Sequence, residues 1–198
     1  MLVLLDTSQN LDTCACELGC EVEQLLTPLT RFNLQRPDAR FAIDNGAFAG
    51  FKSQAFDSLL EREKHHRKNC IFVAVPDVVG SAIRTLEVFE YWHTRMIGWP
   101  LALVAQDGQQ ERHIPWWGLQ AIFIGGSTEF KLSKHAAQVI YAAKAMNKWV
   151  HVGRVNTPGR FEYFEELGAD SIDGTGLSRY SWMREAIYKR DNQTRMFA

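Results

Sequence analysis

The sequence predicts an α/β fold, a compact (β/α)8 TIM-like barrel whose helices are shortened or missing near the amino terminus. Three observations point there. Apolar runs of strand length recur eight times along the 198 residues. From Phe41 onward they alternate with segments of helical periodicity, the pattern of parallel βαβ units. Eight strands suit a closed barrel better than an open doubly wound sheet, the runner-up. The barrel must be economical, because the usual size is ~250 residues.

The elements follow in order. Leu2–Leu5 reads as a first strand and Gln24–Thr27 as a second, with short irregular segments around them. Phe41–Ile43, Ile71–Val75, Leu101–Ala105 and Ala121–Ile124 come next, then Val150–Val152 and Ser171–Ile172. Each has the length and apolar content of a buried parallel strand. Helices are predicted over Ser53–Lys68, Ser81–Met96 and Leu132–Asn147, each with an apolar stripe at helical spacing. Ser81 is placed to cap the second of these. Thr157-Pro158 opens another helix, Leu167-Gly168 ends it, and Ser178–Lys189 forms the last. No linker, repeat or low-complexity tract divides the chain, so one domain over residues 1–198 is expected.

Composition narrows the function classes. No apolar stretch approaches the ~20 residues of a membrane span, and the first residues lack the basic start of a secretory signal. A cytoplasmic protein with reduced thiols is expected. The formal net charge of −1 excludes a wholly basic nucleic-acid footprint and leaves only local patches. Lys64–Lys68 reads as the solvated end of a helix. Arg154, Arg160, Arg179 and Arg184 fall nearer the residues singled out below. Cys14, Cys16 and Cys20 match no zinc spacing and read as small side chains on a helix or turn. No metal or cofactor is expected, and no dinucleotide or nucleotide-triphosphate loop is present.

Polar residues stand just past several of the strands. Asp44-Asn45-Gly46 follows Phe41–Ile43, and Pro76-Asp77 follows Ile71–Val75. Gln106-Asp107-Gly108 follows Leu101–Ala105, Gly125-Gly126 follows Ala121–Ile124, and Asp173-Gly174 follows Ser171-Ile172. Singly, each is explained as a turn or cap: an Asx turn at Asp44 or Asp173, a helix cap at Asp77, a strand cap at Gln106. Jointly, all lie at strand carboxyl ends, the face where parallel α/β proteins bind ligands. His151, inside a strand, reads as a core histidine.

In this order the motifs resemble the tRNA-guanine transglycosylase family, barrel enzymes that exchange guanine for a deazaguanine. Asp44-Asn45-Gly46-Ala47-Phe48 is similar to the family's Asp-Ser-Gly-Gly-Phe-Gln, and Ala105-Gln106-Asp107-Gly108 to its Val-Gln-Gly. Asp77 lies where a base-reading aspartate is expected, and Gly125-Gly126 matches a backbone base-binding pair. Gly153-Arg154-Val155-Asn156-Thr157-Pro158 and Gly168-Ala169-Asp170-Ser171-Ile172-Asp173 look like the closing motifs. The resemblance covers roughly Phe41 to Arg179. The family's zinc motif is missing from the carboxyl half, and the chain has about half the family's usual length. It therefore looks most like the reduced branch that inserts 7-deazaguanines into DNA, often in phages.

The resemblance implies a reaction. Asp173 attacks the sugar C1′ and forms a covalent intermediate, and Asp44 moves protons at the leaving and entering bases. Asp77, Gln106 and the Gly125-Gly126 backbone read the base, and Phe48 stacks on it. Arg154, Arg160, Arg179 and Arg184 are candidates for phosphate contacts, with surface solubility the plainer explanation of each. The implied partners are nucleic acid, DNA rather than tRNA, and a free 7-deazaguanine, with an accessory protein or a second copy to help hold the polymer. Two other functions fit the residues alone. One is a phosphate-binding barrel enzyme acting on a small nucleotide or phosphosugar. The other is a catalytically inactive nucleic-acid-binding barrel.

Overall fold

Eight parallel strands pair in chain order and close on themselves, β1 against β8, to form a barrel. They are β1 (Leu2–Leu5), β2 (Val22–Leu26), β3 (Phe41–Ile43), β4 (Cys70–Ala74), β5 (Leu101–Ala105), β6 (Ala121–Ile124), β7 (Trp149–Val152) and β8 (Ser171–Asp173). The helices are α1 (Leu11–Leu18), α2 (Ser53–Glu63), α3 (Ala82–Trp92), α4 (Thr128–Lys131), α5 (Lys134–Ala145), α6 (Pro158–Glu166), α7 (Thr175–Arg179) and α8 (Ser181–Met196). The structure, a computed structural model, describes the backbone of residues 1–196 and the side chains through Lys189.

Strand alternation divides the core in two. Outward residues such as Val3, Leu5, Ile43, Val73, Leu103, Ile122 and Ile172 meet the helices in one continuous apolar layer. Inward residues form a second cluster, among them Leu2, Leu4, Leu25, Phe72, Val104 and Phe123. Ala42, Ala74, Ala102 and Ala121 also point inward, and their small size makes room for the two phenylalanines. The Phe72 and Phe123 rings meet edge to face with centroids 6.2 Å apart.

All eight predicted strands form, with ends within two residues of expectation. The helical layer departs more. Two connections carry no α-helix: residues 27–40 after β2, which hold Pro28 and Pro37, and residues 106–120 after β5, which make only two short 3-10 turns. The second of these lies beyond the amino-terminal region where helices were expected to be missing. The expected helix over Leu132–Asn147 forms as α5, which Ser133 caps by accepting the Ala136 N–H, and the short α4 before it, capped by Ser127, was not anticipated. The last helix is two, broken at Tyr180, whose backbone is extended. Ser81 caps α3 as expected, accepting the Arg84 N–H, whereas Thr157 makes no side-chain cap.

Helix α1 was not anticipated. Asn10 caps it by accepting the Thr13 N–H, and Leu11, Cys14 and Leu18 form its buried face. Cys14 is buried and Cys16 is exposed, because residues two apart on a helix face different ways. Among the described residues no group of three His, Cys, Asp or Glu side chains is arranged to hold a metal ion, and no helix is long and apolar enough to cross a membrane.

Candidate functional site

The inward alternation of the strands continues past their carboxyl ends and builds a cavity. After Leu2 and Leu4 comes Asp6, and after Leu25 comes Thr27. Ala42 leads to Asp44, Val104 to Gln106, Phe123 to Gly125, His151 to Gly153 and Ser171 to Asp173. All of these end-residues line one cavity of about 290 Å³. That is near the lower end of ligand pockets, roughly 300–1,000 Å³. Gly125 and Gly153 open its floor. A Cβ at Gly153 would stand 2.5 Å from the Phe123 ring, and one at Gly125 would stand 2.7 Å from Val104.

Asp77 lies off this alternation and is held in place by two amides. Asn45 Nδ2 donates to Asp77 Oδ1 at 2.8 Å and to the Val75 carbonyl at 2.9 Å. Gln106 Nε2 donates to Asp77 Oδ2 at 2.6 Å, and Gln106 Oε1 accepts the Gly80 N–H at 2.9 Å. Asn45 and Gln106 are each 2% exposed, so both line the cavity while turning little surface toward it. Gln106, expected to read a ligand, is thus mainly a clamp that orients Asp77, with one N–H left over. Burial raises the Asp77 carboxyl above its ordinary value, while the two amides and Arg154 pull it back.

Asp44 turns in from the end of β3, where its Oδ1 accepts the Gly46 N–H at 2.6 Å. Loss of water pushes its pKa up to about 7, a backbone hydrogen bond opposes this, and Asp173, Asp77 and Asp6 add to the rise. Asp173 at the end of β8 accepts the Arg154 N–H on Oδ1 at 2.6 Å. The Arg154 backbone is left-handed there, φ 60°, which aims its amide at the carboxylate.

Asp6 is the carboxylate missed in the sequence. It accepts Thr30 Oγ1 at 2.8 Å and Thr27 Oγ1 at 3.3 Å. Burial raises its pKa, the two hydroxyls and Arg179 lower it, and Asp173 raises it. The signal was present, because Leu2–Leu5 followed by Asp6 is the same apolar run followed by an acid. Lys131 was also missed. It is 3% exposed on α4, and its ammonium donates to the Gly153 carbonyl at 2.6 Å. Burial lowers it to about 8, Arg154 acts in the same direction, and Asp173 opposes.

The arginines divide. Arg154 and Arg179 line the cavity, whereas Arg160 on α6 does not. The Arg154 guanidinium donates to the Gly126 carbonyl and stacks on the Phe48 ring, 4.3 Å from its centroid. Phe48 is otherwise 70% exposed at the mouth. Arg184 corrects the expectation. It is 2% exposed and clamps α8 to α1, donating to Glu17 at 2.5 Å, Gln9 at 2.8 Å and the Leu177 carbonyl at 2.5 Å. A guanidinium so enclosed has no surface for a phosphate. The Gly125 N–H is also engaged, in a bond to the Ala105 carbonyl at 3.0 Å, so this residue contributes space rather than a donor.

No family model and no curated protein matches the chain. Among solved structures, the chain is similar to one titled "Native KDPGal structure", at 16% identity and TM-score 0.47, over 98% of this chain and 96% of that one. It is similar also to a cube-shaped, highly porous protein cage designed by fusing symmetric oligomeric domains, at 17% identity and TM-score 0.47, over 98% of this chain and 74% of that one. Likeness at this level says nothing of chemistry. Nothing in these comparisons points to a guanine transglycosylase, so that resemblance rests on the motifs.

Proposed function

We propose that this barrel is an enzyme, and that its cavity exchanges guanine for a 7-deazaguanine in nucleic acid, with DNA favoured over tRNA. One observation supports this above the rest: Asp6, Asp44, Asp77 and Asp173 face one small cavity in which two guanidinium groups, Arg154 and Arg179, are the facing cations. Such a wall repels a polyphosphate and suits an uncharged base. It also stabilises the positive charge that develops at a sugar C1′ when its N-glycosidic bond breaks.

Roles follow from position. Asp173 is the nucleophile. Asp44, poised near neutrality, protonates the departing guanine and takes the proton from the entering base. Asp77, fixed by Asn45 and Gln106, reads the base edge, and Phe48 provides a stacking face at the mouth. A guanine in duplex DNA must leave the stack to reach so narrow a site.

The second reading is a barrel enzyme acting on a small phosphorylated substrate. Arg154 and Arg179 at the cavity favour it. Against it, the Gly176 N–H after β8 already donates to Asn156 Oδ1 at 2.9 Å, so a phosphate there must displace Asn156. The test is incubation of the full chain with labelled guanine and guanine-containing DNA, tRNA or phosphosugars. Label entering DNA supports the proposal. Turnover of a phosphosugar with no label in either polymer overturns it.

A further inference from the structure

One layer below Asp173, the inward side chains of β7 and β8 are Trp149, His151 and Ser171. His151 has no exposed surface. Its ring packs on Phe72 with centroids 4.9 Å apart and edge-on to Phe123 at 4.5 Å. Nδ1 lies 2.9 Å from Ser171 Oγ. Nε2 has no hydrogen-bond partner among the described residues and stands 3.7 Å from Asp173 Oδ1. A buried polar atom without a partner is costly enough to call for an explanation.

Donor counting assigns the tautomer. The Trp149 indole N–H can only donate, and it donates to Ser171 Oγ at 2.8 Å. The Ser171 hydroxyl has one hydrogen of its own, and His151 Nδ1 is the acceptor beside it. Were Nδ1 to donate instead, into the second lone pair of Ser171 Oγ, the hydroxyl hydrogen would have no acceptor among the described residues and a bare Nε2 would face the Asp173 carboxylate. Nδ1 therefore accepts, and Nε2 carries the ring hydrogen toward Asp173. A directed chain runs from Trp149 through Ser171 and His151 to the carboxylate. At Asp173, the Arg154 N–H and the His151 approach both fall on Oδ1.

We propose that His151 is a positioning residue for Asp173. Its Nε2–H, in a tautomer fixed by Ser171 and Trp149, holds Oδ1 together with the Arg154 amide and so presents Oδ2 as the reacting oxygen. A small turn of the carboxylate closes the 3.7 Å gap to a hydrogen bond. The identity of what Oδ2 attacks rests on the function proposed above; the tautomer and the contact do not. In that reaction Oδ2 bonds to C1′ as the C1′–N bond breaks. The bonding pair leaves with guanine, which takes the Asp44 proton. The entering base then gives a proton to Asp44, bonds to C1′ and releases Oδ2 as carboxylate.

Two measurements test this on the full chain. The first is nitrogen-15 NMR of the imidazole. The expected spectrum shows Nδ1 bare and Nε2 protonated, with the Nε2 signal moving in Asp173→Asn and the tautomer lost in Ser171→Ala. A proton on Nδ1, or an Nε2 signal indifferent to Asp173→Asn, overturns the proposal. The second is base-exchange kinetics of His151→Phe and His151→Gln. We expect His151→Phe to lower kcat roughly 10- to 100-fold, the usual effect of losing a group that orients a reacting ligand. KM for the base should stay within about twofold, because the lost contact is not to substrate. The Gln amide should restore part of kcat, and an unaltered kcat in His151→Phe overturns the proposal. If wild-type protein exchanges no base but the spectrum is as expected, the functional reading fails and the positioning role stands.

Discussion

At the residue level, the chemistry turns on how differently the same side chain behaves at different places on one rim. Asp77 is pinned by two amides, whereas Asp44 keeps one oxygen clear of its single backbone contact. Asp44 is raised to about 7, chiefly by loss of water. Guanine departure needs its protonated form, so kcat/KM for exchange should fall as pH rises through about 7. Asp44→Asn should lose roughly 10²–10⁴-fold in rate and that limb of the pH profile. A full-rate Asn variant with the limb intact would remove Asp44 from proton transfer. These positions were legible in the sequence as acids after apolar runs. Their partners were not, because Asn45 and Gln106 read equally well as ligands, caps or clamps until the loops are placed. Arg184 is the clearest case. Nothing local in Ser181-Trp182-Met183-Arg184 signals that Glu17 on α1 and Gln9 just before it are waiting at the far end of the chain.

At the level of elements, strand alternation made the fold readable and also fixes the site. The periodicity-of-two rule that sends Phe123 and His151 into the barrel also sends Gly125 and Gly153 to its mouth. Gly153→Ala should be severe for its size. The added methyl group meets the Phe123 ring, which packs against both Phe72 and His151, and comes within 3.4 Å of Asp173 Oδ1. We expect a loss of about 1–3 kcal/mol in denaturant melts, typical of overpacking, together with loss of exchange. A variant of wild-type stability and activity would mean the floor is looser than described. The α1–α8 clamp predicts a different pattern. Arg184→Ala should cost about 3 kcal/mol, the low end for a broken buried pair because Glu17 keeps some solvent contact. It should leave the salt dependence of DNA binding unchanged, and a shallower salt slope would return Arg184 to the phosphate contacts. Helix ends were less legible than strands. The break at Tyr180 follows from an extended backbone within a stretch read as one helix, and the short α4 ahead of Ser133 rests on its Ser127 cap rather than on apolar periodicity.

For the whole molecule, gathering carboxylates on one rim carries a cost in stability that depends on pH. Asp44 has a folded value of about 7 against an ordinary 3.8. Between those values the folded chain holds a proton that the unfolded chain has released, so stability falls as pH rises from about 4 to about 7. Asp6 and Asp77, also raised by burial, add in the same direction. Denaturant melts across this range should show the decline, and Asp44→Asn should flatten it; a wild-type curve rising through the same window would contradict the placement of these groups. The measurement that bears most directly on the function is capture of the intermediate. Full-length chain is mixed with guanine-containing DNA, quenched, digested and mapped by mass spectrometry. We expect a DNA-linked peptide joined through Asp173, discharged by added 7-deazaguanine and absent in Asp173→Asn. An adduct on another residue, or base exchange that persists in Asp173→Asn, would contradict the mechanism.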